Sequence, residues 1–535
     1  MLQNMLAAAE TGQPLWLPEL RAVFAASEDA RPVMLRLSAG QTARDFALRL
    51  PCWETAEERD FLRRYLCATI YNLLSTYSGE EIRYFYEEKD EKLRALFDDL
   101  SARFNQPGGF GKVVNIAKRL YGGLSFASSP LTDYAPLPQT LPTPTPDLAE
   151  KLRAVSRASE RKNGLGVDIG GTDIKLAASI GGRLLCTVEY DWNPAASPTA
   201  EGIVEPVLSL ICRMRDRMAA EGARLDAVGV SFPDIVIADR IVGGETPKTK
   251  GMRENSALDY ETEFAKLREL KTAILSLCPP GTSVRLTNDG HMAAFTAAME
   301  LAAGDAPDAV RGGVLAHSLG TDLGSGWLLA DGSIPPIPLE MYDLLLDLGS
   351  FPAAAFPPED LRSTRNENSG MPGARRYLGQ AAAYRLAWEL APGLLDGFAQ
   401  TTGALLSIPT APHDLRKPCL EHLMREAAAG NPAAEEVFRR IGRHLAAVAQ
   451  EMIWLLGETP PVRFLFGRFV KSRRCFELLR EGFGAADSGI ALETADEELA
   501  NTPLMKALAA REDVTVAQFG QAVGAIYFAI MEEGT

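Results

Sequence analysis

Apolar and polar positions change period along the chain, and the changes divide it. Near the N-terminus, Val33-Met34-Leu35-Arg36-Leu37 and Phe46-Ala47-Leu48-Arg49-Leu50 alternate around Ser38-Ala39-Gly40, the period of two strands that meet at a turn. From Glu54 to about Phe104 the side chains Phe61, Tyr65, Leu66, Ile70, Leu73 and Leu74 recur every three or four positions, which predicts amphipathic helices. Six prolines follow, at 130, 136, 138, 142, 144 and 146. Proline removes backbone donors and favours extended chain, so 130–150 reads as a semi-rigid linker after an N-terminal α+β domain, 1–129.

The rest of the chain alternates strands and helices. Gly164–Ile169, Ile174–Ile180 and Arg183–Tyr190 read as consecutive strands, followed by a helix over Thr199–Glu221. Then come a strand at Ala227–Ser231, a helix at Tyr260–Leu277, a strand at Ser283–Thr287 and a helix at Met292–Ala303. A second hairpin is predicted at Gly313–His317 and Gly326–Ala330, then long helices at Ala374–Leu390 and Pro432–Leu456. The tail reads as strand Arg463–Phe466, helix Arg473–Phe483, strand Ile490–Glu493 and helix Val516–Met531. One unit therefore occurs twice, over 151–309 and 310–535: a β-hairpin with a glycine-rich turn, then alternating helices and strands. The spacing is that of a duplicated α/β domain and not of a solenoid.

Composition narrows the class. The 535 residues are 46% hydrophobic and 23% charged, which excludes full-length disorder. A net charge of −15 argues against general polyanion binding, and the N-terminal region holds no compact basic recognition helix, so no nucleic-acid partner is expected. Seven scattered cysteines form no C-x-x-C pair. No apolar run reaches about 18 residues and the first residues lack a signal-peptide pattern, so a cytoplasmic protein without membrane contact is expected. The N-terminal domain reads as an accessory or dimerisation module, which makes a homodimer one assembly the chain allows.

Candidate chemistry sits in the duplicated part. Asp168-Ile169-Gly170-Gly171-Thr172 joins two predicted strands. Adjacent glycines let backbone N–H groups approach a phosphate, Thr172 adds a hydroxyl, Asp168 can orient a metal-bound water, and Lys175 can meet the same charge. The loop is not a Walker A motif, because it lacks the G-K-[ST] ending and the following helix. Leu319-Gly320-Thr321-Asp322-Leu323-Gly324-Ser325-Gly326 repeats the design in the second half, suggesting two clamps on one polyphosphate. Asn288-Asp289-Gly290-His291 follows a strand. Asp289 is suited to accept a hydroxyl proton in phosphoryl transfer and Asn288 to hold a neighbouring hydroxyl, whereas His291 reads as a cap or packing residue. Ser231-Phe232-Pro233-Asp234 and Pro247-Lys248-Thr249-Lys250-Gly251 supply donors suited to a polyhydroxylated ligand.

This order of motifs, from about Asn163 to Met531, resembles the hexokinase-type sugar kinases of the actin-like ATPase superfamily, and among them the bacterial ROK (repressor, open reading frame, kinase) family. The resemblance implies a duplicated two-lobed α/β fold of the ribonuclease H-like kind, with the N-terminal α+β domain added. It implies ATP and Mg²⁺ as cofactors and a hexose-type sugar as acceptor. Asp289 takes the place of the catalytic base. The loop carrying Asp168, Gly170, Gly171 and Thr172 takes that of the phosphate and metal site, Gly320, Thr321 and Gly324 that of the second phosphate loop, and Gly467 that of the adenosine turn. Ser231, Thr249 and Lys250 look like sugar-contacting positions. Glu340 matches the glutamate of a Glu-x-Gly-His sugar motif, with Asp343 in place of its histidine.

Three departures stand out. The family's cysteine-rich zinc stretch is absent, so no structural zinc is expected. Asp322 replaces a glycine in the second loop, and the adenosine turn has a single glycine, Gly467. The alternatives are a ROK-type sugar-responsive regulator, which would need a basic helix-turn-helix, and an actin-like ATPase without sugar kinase activity, which would leave Asn288-Asp289 unexplained.

Overall fold

The alternation at the N-terminus folds as it reads. In the computed structural model, which describes residues 1–531 apart from 12, 107–109, 139–146, 350–370, 372, 404–412, 458, 486–488 and 495–498, helices α1 (Leu2–Glu10) and α2 (Leu17–Ala26) lead into β1 (Arg31–Ala39) and β2 (Thr42–Leu50). These pair antiparallel and turn Val33, Leu35, Leu37, Phe46, Leu48 and Leu50 inward. A reciprocal capping box, Thr55 with Glu58, starts α3 (Ala56–Tyr77). The span read as purely helical is interrupted by β3 (Glu81–Tyr86), because Ser78 at φ 54° ends α3 and Ile82, Tyr84 and Tyr86 alternate inward. Helices α4 (Glu91–Asn105) and α5 (Gly111–Tyr121) and strand β4 (Ser125–Pro130) complete a sheet of order β2-β1-β3-β4. Of the proline-rich stretch 130–150, residues 139–146 lie outside the described residues.

After α6 (Leu148–Ser159), the first glycine-rich hairpin forms β5 (Gly164–Ile169) and β6 (Asp173–Ile180), continued by β7 (Arg183–Asp191). Then follow α7 (Glu201–Ala220), β8 (Ala227–Phe232), the short pair β9 (Val236–Ile237) and β10 (Arg240–Ile241), α8 (Lys250–Glu254), α9 (Tyr260–Arg268), α10 (Leu270–Leu277), β11 (Ser283–Asn288) and α11 (Asp289–Ala303). The helix expected at Tyr260–Leu277 breaks at Glu269. The sheet order is β11-β8-β5-β6-β7, with β5, β8 and β11 parallel.

The second half repeats this plan with β12 (Val314–Leu319) and β13 (Leu323–Leu328), then α12 (Gly379–Leu390), α13 (Gly393–Thr402), α14 (His413–Ala428), α15 (Pro432–Leu456), β14 (Val462–Phe466), α16 (Arg473–Gly484), β15 (Ala491–Glu493), α17 (Pro503–Ala509) and α18 (Val516–Ile530). Its sheet order is β13-β12-β14-β15, with β12, β14 and β15 parallel. In both sheets the hairpin's first strand is central and takes parallel strands on its far side. The result is a duplicated, two-lobed α/β design. The second hairpin is tighter than its glycines suggest: the turn is Gly320–Asp322, and Gly324 and Gly326 lie inside β13. Helix α12 starts at Gly379 instead of Ala374, because Gly379, at φ 84°, lies so close to the Thr321 carbonyl that a Cβ would stand 2.6 Å from it.

Two helices join the lobes. α18 lies on β5 and β8, and α11, which leaves the first sheet, lies on β12 and β13. Their shared core holds Ala177 and Ala227 from the first sheet and Val314, Ala316 and Phe464 from the second. A separate, continuous cluster joins the N-terminal sheet and α3 to the second lobe through α12, α14 and α15. Arg21 makes a bidentate contact with the buried Glu451, and Asn72 bridges Leu345 and Glu451. Among the described residues no helix is long and apolar enough to cross a membrane.

The crossing of α11 over β13 is backbone to backbone. A Cβ on Gly326 would collide with the Gly290 carbonyl, whereas one on Gly320 would meet nothing within 4 Å. Gly326→Ala is therefore expected to lower unfolding stability by about 3 kcal/mol or more, and Gly320→Ala to stay within about 0.5 kcal/mol of the parent, in denaturant titrations. Equal midpoints for the two variants would contradict this account of the crossing.

Candidate functional site

Parallel strands aim their carboxyl ends at one edge of a sheet, and ligands of open α/β folds bind beyond that edge. In the first lobe this edge carries Asp168 on β5, Ser231 on β8 and Asn288 on β11. Asp168 is in register with Ser231, and Ser231 with Thr287, the residue before Asn288. Burial pushes the Asp168 carboxyl up to about 6; the Ser231 hydroxyl partly offsets this and the nearby Asp289 charge adds to it. Ser231 is fully buried beside this carboxyl.

Asp289 is the first residue of α11. The Asn288 side chain caps the helix by accepting from the Gly290 N–H (2.8 Å), and Asp289 Oδ1 accepts from the same N–H (2.9 Å). Burial raises the Asp289 pKa, opposed by the Lys248 ammonium and by the Gly290 hydrogen bond. Lys248 also reaches the first hairpin loop, where its Cε would stand 3.6 Å from a Cβ on Gly171. His291 is buried, accepts from the Trp327 N–H (3.0 Å) and is pushed down to about 4 by burial, so it is a neutral packing residue.

The two hairpin turns are built alike. Gly170 N–H donates to the Asp173 carbonyl (2.8 Å) and Gly320 N–H to the Asp322 carbonyl (3.1 Å), leaving Gly171, Thr172 and Thr321 exposed. Lys175 lies opposite Asp168 in the hairpin, pairs with Asp173 and is 3.6 Å from Glu189. Gly324 faces Ser318 within the hairpin ladder, away from the turn. Gly467, at φ 96°, lets the chain after β14 approach the second hairpin so closely that a Cβ would stand 2.5 Å from the Leu319 carbonyl. Beside it lies a cavity of about 250 Å³ lined by Ser318, Phe466, Gly467, Ala293, Ala297 and Gly520, among others.

The expected sugar-contacting residues fare differently. Thr249 is buried; its hydroxyl donates to the Gly244 carbonyl (2.5 Å) and accepts from Arg253 (2.7 Å), which shapes the loop. Lys250 is solvent-exposed and 3.7 Å from Glu254; its neighbour Lys248 is the lysine that reaches Asp289. Asn288 is engaged at both ends, because its amide also donates to the Asp234 carbonyl (2.9 Å). Asp234 itself accepts from the Ile235 and Gly244 N–H groups, and burial pushes its carboxyl up to about 7.

Glu340 and Asp343 do come together, on a buried cation that the motif did not reveal. Lys112 of α5 donates to Glu340 (2.6 Å), Asp343 (2.7 Å) and the Tyr342 hydroxyl. Burial works against the Lys112 charge, yet Asp343 and Glu340 outweigh it and hold its pKa well above the ordinary lysine value. The partners lie 228 and 231 residues away in sequence, so no local spacing announces them. Lys248, by contrast, sits in the same donor-rich loop as Thr249 and differs from its neighbours only in where the 3-10 turn Pro247–Thr249 points it.

No protein-family model and no curated protein matches the chain. Among solved structures, it is similar to a ROK family glucokinase from Streptomyces griseus in complex with glucose and AMPPNP (20% identity, TM-score 0.42, covering 69% of this chain and 99% of that one). It is also similar to a ROK hexokinase from Thermus thermophilus (18%, 0.42, 69% and 97%). A third similar structure is a ROK family transcriptional regulator, a homologue of the Escherichia coli MLC protein (14%, 0.44, 69% and 81%).

Removing Lys112 leaves two carboxylates in the interior without their cation. Lys112→Met is expected to cost about 3–5 kcal/mol of unfolding free energy at neutral pH. A lysine whose folded pKa is raised contributes fully below its unfolded value near 10.4 and loses that contribution only as pH rises through the folded value. The deficit should therefore persist across neutral pH and shrink in alkali. A deficit under about 1 kcal/mol at pH 7 would show that the cluster is not a buried ion network.

Proposed function

We propose that the protein is an ATP-dependent kinase that transfers a phosphoryl group to a hydroxyl of a hexose-type sugar. The supporting observation is the grouping of Asp289, Asp168 and Lys248 at the carboxyl ends of β5, β8 and β11, beside the turn of the first hairpin. A carboxylate made more basic by burial, at the start of a helix, is suited to take a proton from a hydroxyl during phosphoryl transfer. In this reading Asp289 receives that proton. Lys248, between Asp289 and Gly171, steadies negative charge on the donor side, and Lys175 assists from β6.

The residues present fit a nucleotide with its metal. Gly171, Thr172 and Thr321 present exposed backbone and hydroxyls to phosphates, and Gly467 borders a cavity with the flat walls Ala293, Ala297 and Phe466, where a nucleobase would lie. Among the described residues no three His, Cys, Asp or Glu side chains gather into a metal cage, which suits Mg²⁺, usually held by one or two carboxylates and its nucleotide's phosphates. Asp168 would hold it, and the ion would supply charge neutralisation on the transferring group. Exclusion of water by the two lobes would limit loss of the phosphoryl group to hydrolysis. Lys112 takes Glu340 Oε2 and Asp343 Oδ2, so in this reading a sugar contact of either carboxylate is made alongside that cation.

A coupled ADP-release assay across hexoses, N-acetylhexosamines and other polyols tests the reading; ADP release independent of every acceptor would defeat it. Asp289→Asn is expected to lower kcat at least about 100-fold while acceptor binding is kept, and near-normal turnover would remove Asp289 from the role. The base works ionised and its pKa is raised. Activity should therefore fall as pH drops, with an acid limb in kcat/KM above the ordinary aspartate value near 3.9. An acid limb at or below that value would contradict the assignment.

A further inference from the structure

Helix α5 belongs by chain order to the N-terminal region, yet it touches both lobes. At its start, Lys112 is held by Glu340, Asp343 and Tyr342. That segment is tied to the N-terminal region and second lobe, with Leu339 and Glu340 N–H groups donating to the Thr76 and Ser75 carbonyls of α3. Two turns later, Arg119 binds only the first lobe. Its guanidinium contacts Glu245 (2.9 Å), Glu261 (2.6 Å) and the Gly243 carbonyl, and lies over the Phe264 ring at 4.6 Å. Between them, Asn115 donates to Glu245 (3.1 Å) and Ile116 packs on Ile235 and Val242.

The position of these contacts matters. The lobes share the α11–α18 core. The α5 contacts with the first lobe lie on the side where Asp234 links Gly244 to Asn288, at the edge that carries Asp289. A helix fixed to one lobe at each end, outside that shared core, constrains the angle between them.

We propose that α5 is a strap that holds the cleft between the lobes closed, and that the cleft opens by release of Arg119 from the first lobe. The Arg119 end is the one that gives way. Arg119 and Glu245 are largely buried, but the second partner, Glu261, is 48% exposed, so water can replace the guanidinium there, and the apolar contact beneath it is a small cluster of three buried side chains. The Lys112 end is sealed, and the surrounding N-terminal region shares one core with the second lobe. Gly122 and Gly123, both at positive φ, end α5 before β4. The proposal concerns motion of the ligand-free chain and does not rest on the kinase reading.

Spin labels on unnatural side chains at positions 205 on α7 and 473 on α16, both exposed, report the separation of the lobes in the full-length protein without added ligand. The parent should give one narrow distance distribution. Arg119→Met, which keeps the aliphatic stem, should raise a longer-distance population about tenfold or more, with Arg119→Lys in between. Amide exchange along α18 should stay at the parent level, which separates opening from unfolding. An Arg119→Met protein that unfolds cooperatively but keeps the parent distribution overturns the strap. If Arg119→Met does not fold, Glu261→Gln decides: a smaller shift in the same direction supports the proposal, and an unchanged distribution overturns it.

Discussion

The arrangement depends on helices lying against strands at distances that exclude even a methyl group. α18 crosses the first sheet where Gly166 and Gly229 face the Ala522 and Ala525 carbonyls, and α11 crosses β13 where Gly290 and Gly326 face each other. At all four positions a Cβ would strike backbone, which cannot move aside as a flexible side chain can. These crossings bring two sheets onto one pair of helices, and they place the start of α11, with Asp289, beside the second hairpin strand. The glycines in the strands are structural for this reason, a role separate from that of glycines in the hairpin turns.

The same geometry explains the electrostatics of the candidate site. Three parallel strands and a helix start deliver Asp168, Ser231 and Asp289 to one half-buried edge, where desolvation is the largest influence on both carboxyls. Two carboxylates this close would repel a phosphate. Cations in the first lobe, Lys175 on β6 and Lys248 in the loop after β10, moderate that effect. Balanced charge of this kind, with titration moved toward neutral pH, is what a proton-accepting site needs, and an ordinary hairpin turn does not need it.

Much of this was legible in the residues. The strands of both hairpins, the helix over Pro432–Leu456 and the strand before Asn288 follow from local period, because their burial pattern is set within each element. Strand β3 is hard to read because it is six residues long and lies between two longer helices. The extent of the second hairpin was misjudged because Gly324 and Gly326 look like turn residues, while Gly326 is required by contact with α11, which periodicity does not report. Glu340 and Asp343 were recognised as a pair, but their partner Lys112 comes from a helix more than 200 residues earlier. Lys248 and Lys250 lie two residues apart in a tight turn, which separates the directions of their side chains, and only the fold shows that Lys248 is the one near Asp289.

The long-range contacts also change how the N-terminal region relates to the rest. A module joined by a linker would bury its own core and present a polar face to its neighbour. Here α3 and the N-terminal sheet share a continuous apolar cluster with α12, α14 and α15, and the polar groups that cross between them, Arg21, Asn72 and Lys112, are themselves buried against acidic partners. A buried ion pair gains little over an apolar contact when intact and costs heavily when one partner is withdrawn. Such pairs therefore act as registration pins, because they penalise displacement far more than they reward association. Two such sites, Arg21 on Glu451 and Lys112 on Glu340 and Asp343, fix the N-terminal region on the second lobe, with Asn72 hydrogen-bonded to the same Glu451. The connection α5 makes to the first lobe through Arg119 is shared between the largely buried Glu245 and Glu261, a carboxylate that water can reach. The asymmetry between sealed and wetted pairs gives the molecule one rigid joint and one that can part.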